Sequence, residues 1–265
     1  MKKLLYESFL LALVGVSFTF SSCEKSDIVN NNIAQKKRLN QNNSIIHLHN
    51  DALSYTFNNI KNNPYLYKRI DKPTDKMLEE IILFMKSNIK SRELDNYCID
   101  AFYNDYKCFD KKPYLVNHYN RIKNNDYYKK LMFLTDKGYT SKEFTIEANQ
   151  LKDRIIKDNT LSQIDKTILT SGILIGIESY EYWDLNNAYW LSVGEQHFNP
   201  KSLKKDKGAI ARADIHGAIG GAITGVCTGG LFGALAGATL GAAWGSAIEG
   251  ASQHFGWGGP GGCIN

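Results

Sequence analysis

Glycine recurs at every fourth position near the C-terminal end of this sequence, eight times without a miss. The repeat comprises Gly217, Gly221, Gly225, Gly229, Gly233, Gly237, Gly241 and Gly245. A glycine inside an isolated helix costs about 1 kcal/mol relative to alanine, so such a helix needs compensation from tight packing. Small residues at this spacing let two helix backbones approach closely, as they do in membrane helices. The repeat therefore predicts a glycine zipper between helices.

The glycine zipper is expected to be a hairpin rather than one straight helix. Four residues turn a helix by about 400°, so the glycine stripe drifts by about 40° at each step. A single helix from Gly217 to Ile248 would be about 48 Å long, whereas the hydrocarbon core of a bilayer is about 30 Å thick. The adjacent Gly229 and Gly230 predict the break. The glycine faces of the two arms would then be in contact.

Two environments suit this hairpin. No charged residue occurs from Gly217 to Ile248, which favours direct contact with a membrane. Each arm has only about 15 to 18 residues, slightly fewer than the roughly 20 that span a bilayer. The alternative is a hairpin that packs against the protein's own helices or against a second copy. The predicted partners are therefore a membrane or a homo-oligomer.

The N-terminus predicts export and a lipid anchor. Two lysines and a short apolar stretch at residues 9–20 are typical of a signal peptide, which we place at residues 1–22. The Phe-Ser-Ser that precedes Cys23 resembles the lipobox of bacterial lipoproteins, with Phe in place of the usual Leu. The resemblance implies cleavage before Cys23, lipidation of that residue and anchoring in the cell envelope, at the periplasmic or surface face of the outer membrane. The alternative is a secreted protein cut nearby.

Apolar residues recur at helical spacing from residue 44 onward, while strand alternation is nearly absent, so the sequence predicts an all-α fold. The asparagine-rich segment before residue 44 is too polar to bury much apolar surface. The predicted order is a signal peptide at 1–22, a lipidated cysteine and disordered tether at 23–43, an α-helical bundle at 44–195, a linker at 196–213, a glycine-zipper helical hairpin at 214–250 and a flexible Gly-rich tail at 251–265.

Six helical stretches are predicted within the bundle. They run from Ser44 until Pro64 stops the pattern, from Thr74 to Ser91 with Thr74 as N-cap, from about Leu94 to Asp105, from Pro113 to Phe133, from Ser141 to Asp158, and from Ser162 to Trp190.

Cysteine usage agrees with export. Besides Cys23, the chain has an even number, Cys98, Cys108, Cys227 and Cys263, which permits disulfides. In one straight helix Cys98 and Cys108 would be about 15 Å apart, beyond the roughly 7 Å that a disulfide allows, so they pair only if the chain turns between them. A bond between Cys227 and Cys263 would cross the zipper. Free buried cysteines are the alternative.

No catalytic residue, cofactor or metal site is predicted. His47 and His49 are two residues apart, so on a helix they face different directions and cannot bind one ion together. Glu178 and Glu181 share a helix face near Trp183, which is more typical of a solvated surface than of a catalytic pair. The net charge of +5 is small and scattered, so nucleic acid is not an expected partner.

Several short motifs occur in a characteristic order: the lipobox, His49 with Asn50, Tyr182 with Trp183, and Ala213 with Asp214 before the glycine repeat. Together they resemble a group of Bacteroidota lipoproteins that have a C-terminal glycine-zipper region and no established activity. This resemblance covers most of the mature chain. The zipper alone, about the last fifty residues, is similar to Gly-rich class II bacteriocins, which insert into target membranes.

Two functions follow from these patterns. The first is a non-enzymatic envelope lipoprotein whose zipper associates with a membrane, with permeabilisation as the bacteriocin-like form, or with a second copy. The second is a surface-tethered helical binding module or hydrolase in which the zipper is only structural packing.

Overall fold

The computed structural model describes residues 31–89, 96–198 and 206–257. Cys23, the predicted signal peptide and Cys263 lie outside these ranges. The chain divides into two compact units, residues 1–41 and residues 42–265. Of the first unit the structure describes only residues 31–41, which begin the first helix. The described ranges contain helices and no strand, so the predicted all-α fold is confirmed.

The helices are α1 (Asn31–Asn62), α2 (Pro64–Arg69), α3 (Pro73–Asn88), α4 (Asn96–Lys107), α5 (Pro113–Lys123), α6 (Asp126–Thr135), α7 (Ser141–Lys157), α8 (Gln163–His197) and α9 (Lys207–Phe255), with a 3₁₀ turn at Phe109–Lys111 between α4 and α5.

Local sequence explains where most of these helices begin. Proline occupies the first turn of α2, α3 and α5, where its missing N–H is not needed. Asn125 and Ser162 accept hydrogen bonds from backbone N–H groups at the starts of α6 and α8. Thr140 and Glu143 form a complete capping box at the start of α7. These caps satisfy donors that a helix start leaves unpaired.

The structure differs from several predicted boundaries. Helix α1 already begins at Asn31, inside the segment predicted as a tether, because extending an existing helix costs far less than starting one. The N-cap of α3 is Lys72, and Thr74 lies inside the first turn because Pro73 takes the first helical position. The stretch predicted as one helix from Pro113 to Phe133 is two helices, because Asn125 caps a new one.

Helix α9 consists of two arms, residues 207–228 and residues 231–255. Between them Gly229 and Gly230 have non-helical dihedral angles, with φ −149° and ψ 24° at Gly229 and φ 60° and ψ −146° at Gly230. The positive φ at Gly230 favours glycine over other residues. The arms extend beyond the predicted 214–250 at both ends, since Asp206 caps the first arm and Gly256, with φ 69°, caps the second.

The two arms form the centre of the helical domain. Helices α3, α4, α5, α6 and α8 all contact them. One apolar cluster joins the arms to α5, α6, α7 and the first half of α8. A second cluster joins them to α1, α3, α4 and the second half of α8. The glycine-rich segment is therefore enclosed by the rest of the domain, with its turn at the surface.

Candidate functional site

The glycines of the two arms face each other. A Cβ atom added at one glycine would lie less than 3.0 Å from the carbonyl oxygen of its partner, closer than real Cβ atoms approach. The pairs are Gly217 with Gly241, Gly221 with Gly237, and Gly225 with Gly233. From one pair to the next, the residue number rises on the first arm and falls on the second, so the two arms run antiparallel. The backbones can approach this closely only because these positions have no side chain.

Two predicted zipper positions differ from these three pairs. Gly245 faces the carbonyl oxygen of Ala213 instead of another glycine. Gly229 is not in the interface, because it lies in the break and a Cβ atom there would meet no atom within 4 Å. The structure therefore corrects the assignment of Gly229 as a packing residue, and its role is in the turn.

Glycines of α8 allow a second close approach, which the sequence analysis missed. A Cβ atom at Gly172 or Gly176 would lie 3.0–3.3 Å from side-chain atoms of Ile219 or Ile215 on the first arm. The two glycines are four residues apart, so they share one face of α8. Their spacing is the same as in the long repeat, and it was the signal available in the sequence.

Among the described residues, α9 is the one helix that is long and apolar enough to cross a membrane, by length and composition alone. Of its most apolar 18-residue stretch, 61% is buried inside the protein. The core helix of a soluble protein passes the same test, so this property by itself does not distinguish the two environments.

A buried polar cluster lies at the base of the hairpin, by which we mean residues 207–217 and 245–255. Asp214 on the first arm accepts a hydrogen bond from Ser246 Oγ on the second arm at 2.9 Å. Ser246 in turn accepts one from the Trp183 indole N–H of α8 at 3.0 Å. His49 of α1 places Nε2 3.6 Å from Asp214 Oδ2, and both side chains are completely buried. The cluster therefore joins α1, α8 and both arms.

A polar chain connects this cluster to the surface. Asn50 Nδ2 donates to Glu178 Oε2 at 2.8 Å, and the other carboxylate oxygen of Glu178 lies 3.0 Å from the exposed His47. Since Nδ2 faces the Glu178 carboxylate, the Asn50 oxygen faces His49 Nδ1, at 2.8 Å. The Nδ1 atom of His49 therefore carries a proton and donates it to this oxygen.

The His49 and Asp214 side chains are close without being hydrogen-bonded to each other. The 3.6 Å between His49 Nε2 and Asp214 Oδ2 is longer than a hydrogen bond, and among the described residues His49 Nε2 and Asp214 Oδ1 have no hydrogen-bond partner. An uncompensated polar group in such a buried position is costly, so each side chain depends on the other for its electrostatic environment.

Complete burial limits the chemistry of this cluster. Neither His49 nor Asp214 reaches solvent, so no substrate can approach them in this conformation. Within the described ranges, no three His, Cys, Asp or Glu side chains lie close enough together to hold a metal ion. The arrangement can hold α1, α8 and the two arms of α9 together, and its sequence signals were the His49–Asn50 and Asp214 motifs and Glu178. Ser246 carried no recognisable signal.

A partly buried histidine, His216, lies within the base of the hairpin. His216 Nδ1 is 2.8 Å from the phenol oxygens of both Tyr119 on α5 and Tyr128 on α6. Burial, with smaller contributions from Lys123 and Arg212, lowers the pKa of His216 to about 4. The imidazole is therefore neutral near pH 7. Burial also raises the pKa of both phenols, so they remain hydrogen-bond donors.

A surface groove of about 270 Å³ lies between the C-terminal ends of α1 and α8. The described residues that line it are Phe57, Lys61, Tyr189, Ser192, Val193, Gln196 and His197. Asn50 contacts Glu178, and Phe57 stacks on Trp190 with ring centroids 5.0 Å apart, so the two helices run parallel. The groove has an apolar floor and a polar rim with no acidic residue among those lining side chains.

The cysteine pairings receive no support from the described residues. Helix α4 runs without a break from Asn96 to Lys107, so it separates Cys98 and Cys108 by roughly 13 Å or more along its axis. A disulfide cannot span that distance. Among the described residues, neither Cys108 nor Cys227, which lies at the exposed turn, has a disulfide partner. The Cys227–Cys263 bond stays a prediction, because Cys263 lies outside the described ranges.

Comparison with protein-family models, with characterised proteins and with solved structures gives no match to this chain.

Proposed function

We propose that this chain is a non-enzymatic, lipid-anchored protein of the cell envelope, and that its glycine-rich hairpin is the packed core of a helical binding module. One observation carries the proposal: the glycine faces of the two arms are in contact with each other, and other helices cover most of the remaining hairpin surface. A surface that is already occupied within one chain is not free to contact lipid or a second copy.

The hairpin and the lipid anchor then have separate roles. Acyl chains on Cys23 would hold the protein at the membrane, since more than one acyl chain gives stable anchoring. The helical domain would remain outside the bilayer and present its surface to a ligand.

The test separates the anchor from the hairpin. Acylated protein and the Cys23→Ser variant are mixed with liposomes of bacterial phospholipid at pH 7 and separated by flotation. We expect the acylated protein to float with the liposomes and the Cys23→Ser protein to stay in the aqueous fractions as a monomer. If Cys23→Ser protein floats as well, a surface of the protein itself binds lipid and the proposal is wrong.

A second candidate function is membrane contact by the hairpin after it opens. It is favoured by the absence of any charge from Gly217 to Ile248 and by the turn, where Leu231 is 45% exposed. Dye release from the same liposomes measures it. Release by Cys23→Ser protein, abolished when residues 217–248 are deleted, would support this function.

A further inference from the structure

The groove between α1 and α8 has the composition of a small-molecule site. Its volume of about 270 Å³ is roughly nine times the space that one water occupies in the liquid, so it suits a small ligand better than a peptide or a folded partner. Ligand sites commonly combine an apolar floor with a few polar groups that orient the ligand. The groove shows both features.

The floor of the groove is apolar. Phe57 is half-buried and fixed by its stacking on Trp190, which is completely buried. Val193 is buried beside it, while Tyr189 stands at the edge with 64% of its surface exposed. Aromatic side chains held in this way offer a ring face on which another planar group can stack.

The rim of the groove carries polar groups that lack partners. Across the ranges that the structure describes, no hydrogen bond or ion pair engages the side chains of Lys61, Ser192 or Gln196. They supply an ammonium group, a hydroxyl and an amide, and His197 adds an imidazole. Just outside, Lys68 lies 5.8 Å from the centroid of the Phe198 ring. Lys61 and Lys68 therefore supply positive charge beside the groove, with donors available for an anion, and the neighbouring Glu195 is not among the lining residues.

We propose that this groove binds a small aromatic carboxylate, whose ring lies against Phe57 and Tyr189 and whose carboxylate faces Lys61. This inference rests on the proposed function, because it assigns the ligand class of the binding module. The carboxylate accepts a hydrogen bond from the ammonium group of Lys61 and further ones from Ser192 and Gln196.

Helix ends supply a competing reason for positive charge here. Lys61 lies in the last turn of α1, where a cation stabilises its own helix by interacting with the carbonyl groups. A loss of stability on removing this charge is therefore not diagnostic. Ligand affinity is diagnostic, because the charge at the helix end gives no preference for a ligand with an aromatic ring.

The probe is benzoate, added to uniformly ¹⁵N-labelled, unacylated protein with the NMR shifts of backbone amides as the readout. We expect saturable shifts at residues 57, 61, 192 and 196. Benzamide, which has the same ring without the charge, and inorganic phosphate, which has charge without a ring, are expected to bind more weakly. Equal shifts with all three compounds, or no saturation with benzoate, would overturn the assignment.

Two groove variants and one control variant connect the benzoate affinity to the groove. Lys61→Met is expected to weaken benzoate binding by about fivefold, as for loss of one exposed ion pair. Lys142→Met, the same change at an exposed position on α7, is expected to leave binding unchanged. Tyr189→Ala removes an exposed ring and should weaken binding without unfolding the domain. Identical affinities for all variants would show that binding occurs elsewhere.

The outcomes for this site and for the proposed function are distinguishable. If Cys23→Ser protein remains free of liposomes but does not bind benzoate, the ligand class is wrong and the proposed function stands. If Cys23→Ser protein floats with liposomes, the proposed function fails whatever the benzoate titration shows.

Discussion

The inner face of the hairpin and the polar cluster at its base are both completely buried, but by opposite means. Between Gly225 and Gly233 the two arms touch because side chains are absent. At the base, Ser246 donates a hydrogen bond to Asp214, and the buried imidazole of His49 lies 3.6 Å from the same carboxylate oxygen, so these polar groups are buried beside one another. The glycine interface cannot accept an added side-chain atom, whereas the polar cluster cannot lose a polar partner.

This contrast determines which substitutions each region tolerates. A close backbone contact fails for steric reasons, so any side chain larger than hydrogen separates the arms. A buried pair of polar side chains fails for electrostatic reasons, so removing one partner is worse than removing both. Three predictions use this difference, beginning with the largest expected effect.

The largest effect is expected for leucine in the interface. Gly225→Leu would place a side chain against the carbonyl group of Gly233, and because backbone atoms cannot move aside locally the arms must separate. We expect loss of the cooperative fold, seen as loss of the near-ultraviolet circular dichroism signal and rapid proteolysis. The matched control is Gly229→Leu, one repeat further along, where an added Cβ atom meets nothing within 4 Å.

Gly229→Leu is expected to change the free energy of unfolding by less than about 1 kcal/mol, since its φ of −149° suits any residue. Similar destabilisation by both variants would mean that the steric contact between the arms is not what makes glycine necessary.

The next effect concerns the polar cluster. His49→Leu leaves a buried carboxylate without its partner and Asp214→Leu leaves a buried imidazole, so each should cost about 3 to 5 kcal/mol of unfolding free energy. The double variant should cost clearly less than the sum, because neither His49 nor Asp214 then remains buried without the other. The hydrogen bonds that Ser246 and Asn50 lose contribute equally to the sum and to the double variant. Urea unfolding of all four proteins gives the coupling energy.

An exposed ion pair on α3 supplies the comparison for this cycle. Lys76 and Glu79 lie 3.5 Å apart at the surface, and the same leucine cycle there should give a coupling below about 1 kcal/mol. If the coupling between His49 and Asp214 is equally small, the cluster does not hold the base of the hairpin together.

The same contrast explains how much of the molecule the sequence could predict. The glycine pairs involve one residue type at one spacing, so periodicity alone indicated a hairpin broken at Gly229 and Gly230. Helical periodicity likewise gave the all-α class. The polar cluster depends on residues that the fold brings together from distant positions, namely His49, Glu178, Asp214 and Ser246. No local sequence pattern predicts that these side chains are in contact.

The groove was missed for a related reason. Phe57 and Lys61 belong to one helix and Tyr189 and Gln196 to another, and only the parallel packing of α1 and α8 places them side by side. Boundaries such as the start of α1 at Asn31 were missed because helix elongation into polar sequence leaves little trace in composition.

The third prediction concerns pH and His216, the neutral histidine in the base of the hairpin. The pKa of His216 is about 4 in the folded protein, chiefly because of burial, and about 6.5 in an unfolded chain. Above pH 6.5 the imidazole is neutral in both states and contributes no pH dependence. As the pH falls from about 6.5 to 4, the unfolded chain binds a proton that the folded protein does not, so stability falls by roughly 3 kcal/mol in total. Below pH 4 both states are protonated and the loss stops.

The variant His216→Gln isolates this contribution from that of the carboxylates, which titrate in wild type and variant alike. Glutamine keeps a hydrogen-bonding group near Tyr119 and Tyr128 but has no proton to gain. The unfolding free energy of wild type relative to the variant should therefore fall by about 3 kcal/mol between pH 7 and pH 4, measured by urea titration at each pH. A constant difference would show that His216 binds its proton equally well in both states. Position 216 would then contribute no pH dependence to the unfolding free energy, just as the glycine contacts contribute none.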